Sequence, residues 1–314
     1  MKKRWSSLSK PDCHADHLIG DTRTPFIVKD KNGIAIGCDK WENEYGTRST
    51  VNDETLKKKH ILFLGDSFVY GHGVARGNTI SDYFDNITSD DYSCFNLGEP
   101  GTGFDTALLR LQQWCNEFGD NVHTIYFGLS AITRWRHWEF TNENWQWEDD
   151  VYTEENYDGV FHDYFKVDFL DIRGPSEAES SHKRSNYIRK SYAQLLSKVH
   201  IFAKLDATIM AVINLSKVYN FNVYFFNTNA KNYTIKDGQV LKEQTESHQV
   251  KWCTGFQFDP VMIEWTRVQE SLKGDEKRKN VVWDINYIPN DGHWNSKGCN
   301  LVAKLLYEET KQWY

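Results

Sequence analysis

No two of the six cysteines (Cys13, Cys38, Cys94, Cys115, Cys253, Cys299) form a CxxC pair, so their spacing signals neither a zinc site nor a disulfide framework. Reduced thiols are the expectation. Long basic runs are missing too: KKK at Lys57–Lys59 and KRK at Lys277–Lys279 are short, and the formal net charge is -7. That balance disfavours nucleic acid or an anionic membrane surface as the main partner. No apolar stretch approaches membrane-spanning length, and the N-terminal segment starts basic but has no apolar core of the secretory kind. The expectation is a cytoplasmic or otherwise soluble product made without secretory export. High Asn, Lys and Tyr content fits an AT-rich genome, bacterial or viral. GHGVARG (Gly71–Gly77) has glycines but no GK[ST], which argues against a phosphate loop. His72 and His137 lack partners at metal-ligand spacing and read as ordinary polar residues, so neither metal nor cofactor is expected.

Aromatic residues are abundant, at 15% of the chain with 12 Trp and 16 Tyr, although mean hydropathy is only -0.65. Such a chain is expected to expose some rings. Rings with a polar handle suit sugar faces and protein interfaces, while for any single Trp an ordinary core position is the commoner role.

Four short segments rich in β-branched or aromatic residues read as buried parallel strands: His60–Gly65, Tyr92–Gly98, Val122–Leu129 and Phe221–Asn227. Asn280–Ile285 reads as a fifth. Helical patterns lie between them, at Ala107–Phe118, within Ser185–Asn220 and at Leu301–Trp313. Alternation of this kind predicts right-handed crossovers in an α/β fold, with a central, mainly parallel five-stranded sheet between helical layers. Residues 1–59 read as an N-terminal extension packed on a core domain of residues 60–314. Irregular insertions are expected at about 135–184, which is aromatic and acidic, and at about 229–274.

In an open parallel sheet, reacting groups collect beyond the carboxyl ends of the strands. Ser67 is placed there by ILFLGDSFVYGHGV (Ile61–Val74), where a helix following the strand would offer backbone NH groups and a positive dipole end. A serine so placed can attack a carbonyl if a base takes its proton. Taken alone, GDS is more often a plain Ser N-cap. The base candidate is His293 in PNDGHWNSKG (Pro289–Gly298), with Asp291 two residues earlier able to fix the imidazole. Alone, it too would read as a loop histidine.

Together these blocks resemble the SGNH (GDSL-like) hydrolases. GDSFVYGHGV is similar to the first block of that family, FNLGEPGTG (Phe95–Gly103) to the second and DGHWNSKG to the last, while NEYGTRS (Asn43–Ser49) resembles a turn upstream of GDSF in one branch. The resemblance implies a flavodoxin-like three-layer α/β/α sandwich and ester hydrolysis. It assigns Ser67 as nucleophile, His293 as general base and Asp291 as the orienting acid. A backbone NH of Gly101, five residues after Asn96, would join that of Ser67 in the oxyanion hole.

Two departures qualify it. The third block commonly carries GxND, whereas this chain has GLSAITR from Gly128, with Ser130 at the Asn position; Ser130, Thr133 or Arg134 would have to supply the missing donor. The common DxxH spacing would put the acid at Asn290, whereas Asp291 gives DxH, with Asp284 in reserve. Asp66, Arg134, Trp135, Trp138 and Trp294 are the candidate substrate contacts, and Trp145 and Trp147 extend the aromatic stretch into either a sugar-stacking wall or a self-packed lid. The expected activity is a metal-independent serine esterase acting on an acylated, for example acetylated, carbohydrate or similar small polar ester. An O-acyltransferase using the same residues is the enzymatic alternative. A non-catalytic carbohydrate-binding or assembly protein with a decayed site is the other.

Overall fold

The computed structural model describes residues 26–29, 35–38, 43, 45–52, 54–75, 77–88, 90–99, 103–130, 134–135, 138–141, 144–147, 165–166, 198–228, 242–253, 286 and 293–314. Two short strands, β1 (Phe26–Lys29) and β2 (Ala35–Cys38), pair as an antiparallel hairpin. The central sheet is built from β3 (Lys59–Leu64), β4 (Tyr92–Asn96), β5 (Val122–Leu129), β10 (Asn222–Asn227) and β11 (Val250–Trp252). Between β5 and β10 come β6 (Arg134–Trp135), β7 (Trp138–Thr141), β8 (Asn144–Trp147) and β9 (Phe165–Lys166). The helices are α1 (Ser67–Tyr70), α2 (Ile80–Asp85), α3 (Phe104–Phe118), α4 (Lys198–Tyr219) and α5 (Ser296–Thr310).

The sheet order is β11-β10-β5-β3-β4, and every neighbouring pair is parallel. The chain therefore starts in the interior of the sheet at β3, steps one way to β4, and returns past β3 to continue on the other side from β5. This is the flavodoxin-like doubly wound order, and its direction reverses between β3 and β5. In sheets of this order the carboxyl ends of those two strands are where a crevice is expected, because the following helices leave on opposite faces.

Parallel strands covered on both faces read as continuous apolar runs, and side-chain alternation divides them between two cores. Leu62, Leu64, Phe95, Ile125, Phe127 and Phe225 pack with Leu111 and Trp114 of α3 and Leu205, Ile209 and Val212 of α4. Ile61, Phe63, Cys94, Tyr126 and Phe226 pack on the other face, with Phe84 of α2 and Cys299, Val302 and Leu306 of α5. Three layers result. Cys94, Cys115, Cys253 and Cys299 are buried and in no disulfide, and burial pushes the thiols of Cys115 and Cys299 up to about 12, which disfavours their reactive thiolate form.

Two stretches differ from the sequence expectation. The segment 229–274, read as irregular, holds the edge strand β11, which at three residues is too short to show a period. The expected fifth strand at 280–285 lies outside the described residues. In the stretch read as an aperiodic insertion, β7 and β8 form an antiparallel hairpin whose register sets Trp138 opposite Trp147 and Phe140 opposite Trp145. WEFT and NWQW do alternate with period two, so the signal was present in the sequence. The backbone of β6 pairs with β9.

Buried hydroxyls join α5 to the sheet. Thr310 donates to the Leu306 carbonyl at 2.6 Å, so its single proton is spent, and Tyr126 at 2.6 Å must donate to it; Tyr314, 2.9 Å from Tyr126, can donate in turn. Removing a buried ring costs about 3–5 kcal/mol. Phe63→Ala, which takes away a side chain stacked on Tyr126 and edge-on to Phe84, is expected to lower unfolding free energy by that amount in urea titration. Val218→Ala, at a position 74% exposed, should change it by less than about 0.5 kcal/mol.

His60 is 3% exposed, packed edge-on against Phe95, Trp114 and Phe118, and burial lowers its pKa from 6.5 to about 4. The unfolded chain takes up this proton near pH 6.5 while the folded protein resists until about 4, so stability falls as pH drops through that window. The loss is on the order of 3 kcal/mol. His123, lowered to about 4 by burial and then by the charge of Lys59, adds to it in the same direction. His60→Phe should show a smaller stability loss between pH 7 and pH 4.5 than the unmodified protein, read from urea midpoints at the two pH values.

Candidate active site

The turn after β3 is shaped by contact. Gly65 sits where a Cβ would come 2.5 Å from the Val69 Cγ2 and 3.2 Å from the Gly128 carbonyl oxygen, so only glycine lets β3 leave the sheet this close to β5. Asp66 caps α1, its carboxylate accepting from the Phe68 amide at 3.1 Å. α1 is a single turn, and Gly71 ends it with φ +77. The expected helix dipole is therefore slight here, and local backbone amides are what the turn can offer an anion. Ser67, its first residue, is 5% exposed.

The loop after β4 is fastened to this turn. Asn96 donates from Nδ2 to the Val69 carbonyl at 2.8 Å and accepts from the Gly98 amide at 3.0 Å. Gly98 lies so close that a Cβ there would be 2.5 Å from the Tyr70 amide nitrogen. Glu99 donates its amide to the Gly65 carbonyl at 2.9 Å, and buried Arg110 on α3 donates to the carbonyls of Leu97 and Gly98 and pairs with the Glu99 carboxylate. From the N-terminal block, buried Arg48 donates to the Val74 carbonyl and lays its guanidinium 4.3 Å above the Tyr70 ring. Its amide also donates to the Asn96 carbonyl at 3.1 Å. NEYGTRS is thus a strut between the two loops.

His293 approaches from the start of α5. Asn295 caps that helix, accepting from the Gly298 amide at 3.0 Å, and its own amide donates to the Asn286 carbonyl at 2.9 Å. Trp294 is wedged into the core beside the edge of Phe68. With its backbone so held, His293 brings Nε2 to 2.8 Å from Ser67 Oγ, across 226 positions of sequence. At this distance an imidazole nitrogen can accept a hydroxyl proton. The His293 ring also lies 4.8 Å, centroid to centroid, from both Phe68 and His72.

Of the other residues singled out in the sequence, Asp291, Gly101, Asp284, Asn290, Thr133 and His137 lie outside the described residues. Ser130 is fully buried just past the end of β5, the strand beside β3. Asp66 and Trp294, expected to meet substrate, are each 1% exposed, Asp66 as the cap of α1 and Trp294 packed in the core. For Arg134, Trp135 and Trp138 the backbone is described, in β6 and β7. Sequence reasoning took His72 for an ordinary polar residue, since its ring contact with His293 is made across the fold. It passed over Arg110 and Arg48, which bind backbone carbonyls and leave no motif. Among the described residues no group of three His, Cys, Asp or Glu is gathered as a metal site requires.

No protein-family model matches the chain, and no curated protein matches it. Among solved structures it is similar to the psychrotrophic esterase EstA from Pseudoalteromonas sp., in a structure inhibited by monoethylphosphonate. The two are 16% identical with a TM-score of 0.40, over 81% of this chain and 98% of that one. So loose a likeness adds nothing to the site's own geometry.

Asn96→Ala should leave the buried Val69 carbonyl and Gly98 amide without these bonds, at about 1–3 kcal/mol for each orphaned group. The expected result is a urea midpoint well below that of the unmodified protein with an unchanged slope.

Proposed function

We propose that the protein is a serine esterase of the SGNH type, acting on an acylated, for example acetylated, carbohydrate or a similar polar ester. The observation that carries this is the 2.8 Å approach of His293 Nε2 to Ser67 Oγ beyond the carboxyl end of β3. In the proposed reaction Ser67 Oγ attacks the ester carbonyl carbon as its proton passes to His293 Nε2. The resulting oxyanion is held by the backbone amides of Ser67 and Gly101, with the Ser130 hydroxyl in place of the family's Asn. On collapse His293 returns the proton to the departing alcohol oxygen, leaving an acyl-enzyme. A water deprotonated by His293 then cleaves the new ester and frees Ser67 and the acid. Asp291 is assigned to the Nδ1 side of the imidazole. The aromatic β7–β8 hairpin, which follows β5 closely in the chain, is the proposed wall for a sugar ring.

A hydroxyl and an imidazole meeting across the fold weigh against a binding protein with a decayed site, since binding alone would not require that pairing. The test is labelling with a fluorophosphonate and turnover of p-nitrophenyl acetate. The intact protein should do both, Ser67→Ala neither, and His293→Ala should lose turnover by several orders of magnitude. An intact protein that is neither labelled nor active on a panel of acyl esters would overturn the assignment.

A further inference from the structure

The turn that carries Ser67 also carries two rings that touch His293. Phe68 and His72 are four residues apart, and each ring centroid lies 4.8 Å from that of the His293 imidazole, at interplanar angles of 38° and 49°. A hydrogen bond at Nε2 fixes one atom of an imidazole and leaves the ring plane free to swing about it. Contacts from two further rings remove that freedom.

His72 is itself held to the nucleophile's turn. Its amide donates to the Ser67 carbonyl at 3.0 Å, and the Gly71 amide donates to the carbonyls of Ser67 and Phe68, so the chain reverses tightly just before it. The opposite side of Phe68 is buttressed by Trp294, with ring centroids 5.1 Å apart and Trp294 buried in the core. The backbone that carries both rings is therefore fixed to the turn, and Phe68 is further braced by the core.

We propose that His72 is a positioning residue for His293: its ring, with that of Phe68, holds the imidazole plane so that Nε2 faces Ser67 Oγ, and the nucleophile's own turn thereby sets the base. This rests on the assignment of Ser67 and His293 as nucleophile and base. The orienting acid acts at Nδ1, whereas the two rings act on the plane, so the two supports are separate. Catalytic geometry is steep in distance, and a misplacement of about 1 Å can cost roughly 100-fold in rate.

The experiment compares the full chain with His72→Ala, which removes the ring, and His72→Phe, which keeps one. His72→Ala should lower kcat by about 10- to 100-fold with KM within about twofold, and His72→Phe should restore most of kcat. In nitrogen-15 imidazole spectra, assigned with His293→Ala, the His293 signals should move toward those of a free imidazole in His72→Ala and stay in place in His72→Phe. Melting temperatures taken in parallel exclude loss of fold. Unchanged His293 signals and kcat in His72→Ala would overturn the proposal, as would a kcat loss that His72→Phe does not recover. If the unmodified protein turns over no ester, the hydrolase assignment fails on its own, and the spectra still decide whether His72 orients His293.

Discussion

A hydroxyl at the end of β3 and an imidazole at the entrance to α5 meet at 2.8 Å, and the described fold keeps them there from both sides. The partners are 226 residues apart, so nothing local brings them together. What does is the sheet order. With β3 interior and the winding direction reversing between β3 and β5, the turn after β3 lies at the switch point of the sheet, where such folds place their sites. α5 packs on the face that carries Ile61 and Phe63, which brings its first turn, and with it His293, to the same edge.

Rigidity around this pair comes from backbone groups more than from charge. Gly65 and Gly98 allow approaches that any side chain would block. Asn96 ties the β4 loop to Val69, Arg110 collects the carbonyls of Leu97 and Gly98, and Arg48 reaches the Val74 carbonyl. The carbonyls of Val69, Leu97, Gly98 and Val74 and the amide of Gly98 are thereby matched, which matters at strand ends because loops lack the ladder bonds of the strands they leave. The two arginines are also a liability: a buried guanidinium that loses its acceptors has no solvent to fall back on. They are expected to be intolerant of change for that reason, whatever chemistry the site performs.

Much of this was legible in the sequence. β5 has the bounds read for it from VHTIYFGL, and β3, β4 and β10 differ from their readings by one or two residues at an end, because fully buried strands are continuous apolar runs bounded by Gly, Asn or Asp. Ser67 and His293 were legible through motifs at strand ends. β11 was not, since Val250–Trp252 is too short to carry a period and gains its strand character from pairing with β10. The β7–β8 hairpin was missed although Trp138, Phe140, Trp145 and Trp147 alternate, because the acidic and polar residues around them masked the pattern. Asp66 and Trp294 were read as substrate contacts, and their burial, as helix cap and core residue, could not be foreseen from the motifs that hold them. The ring contact of His72 with His293 could not be found from sequence, since it is made across the fold.

The most direct measurement is to find where the acyl group goes. Protein mixed rapidly with p-nitrophenyl acetate, quenched in acid and mapped by mass spectrometry of its peptides should carry the acetyl group on the peptide holding Ser67. The same experiment with His293→Ala should show little or none. An acetyl group on another residue, or equal acetylation of Ser67 without the imidazole, would contradict the pairing of hydroxyl and base.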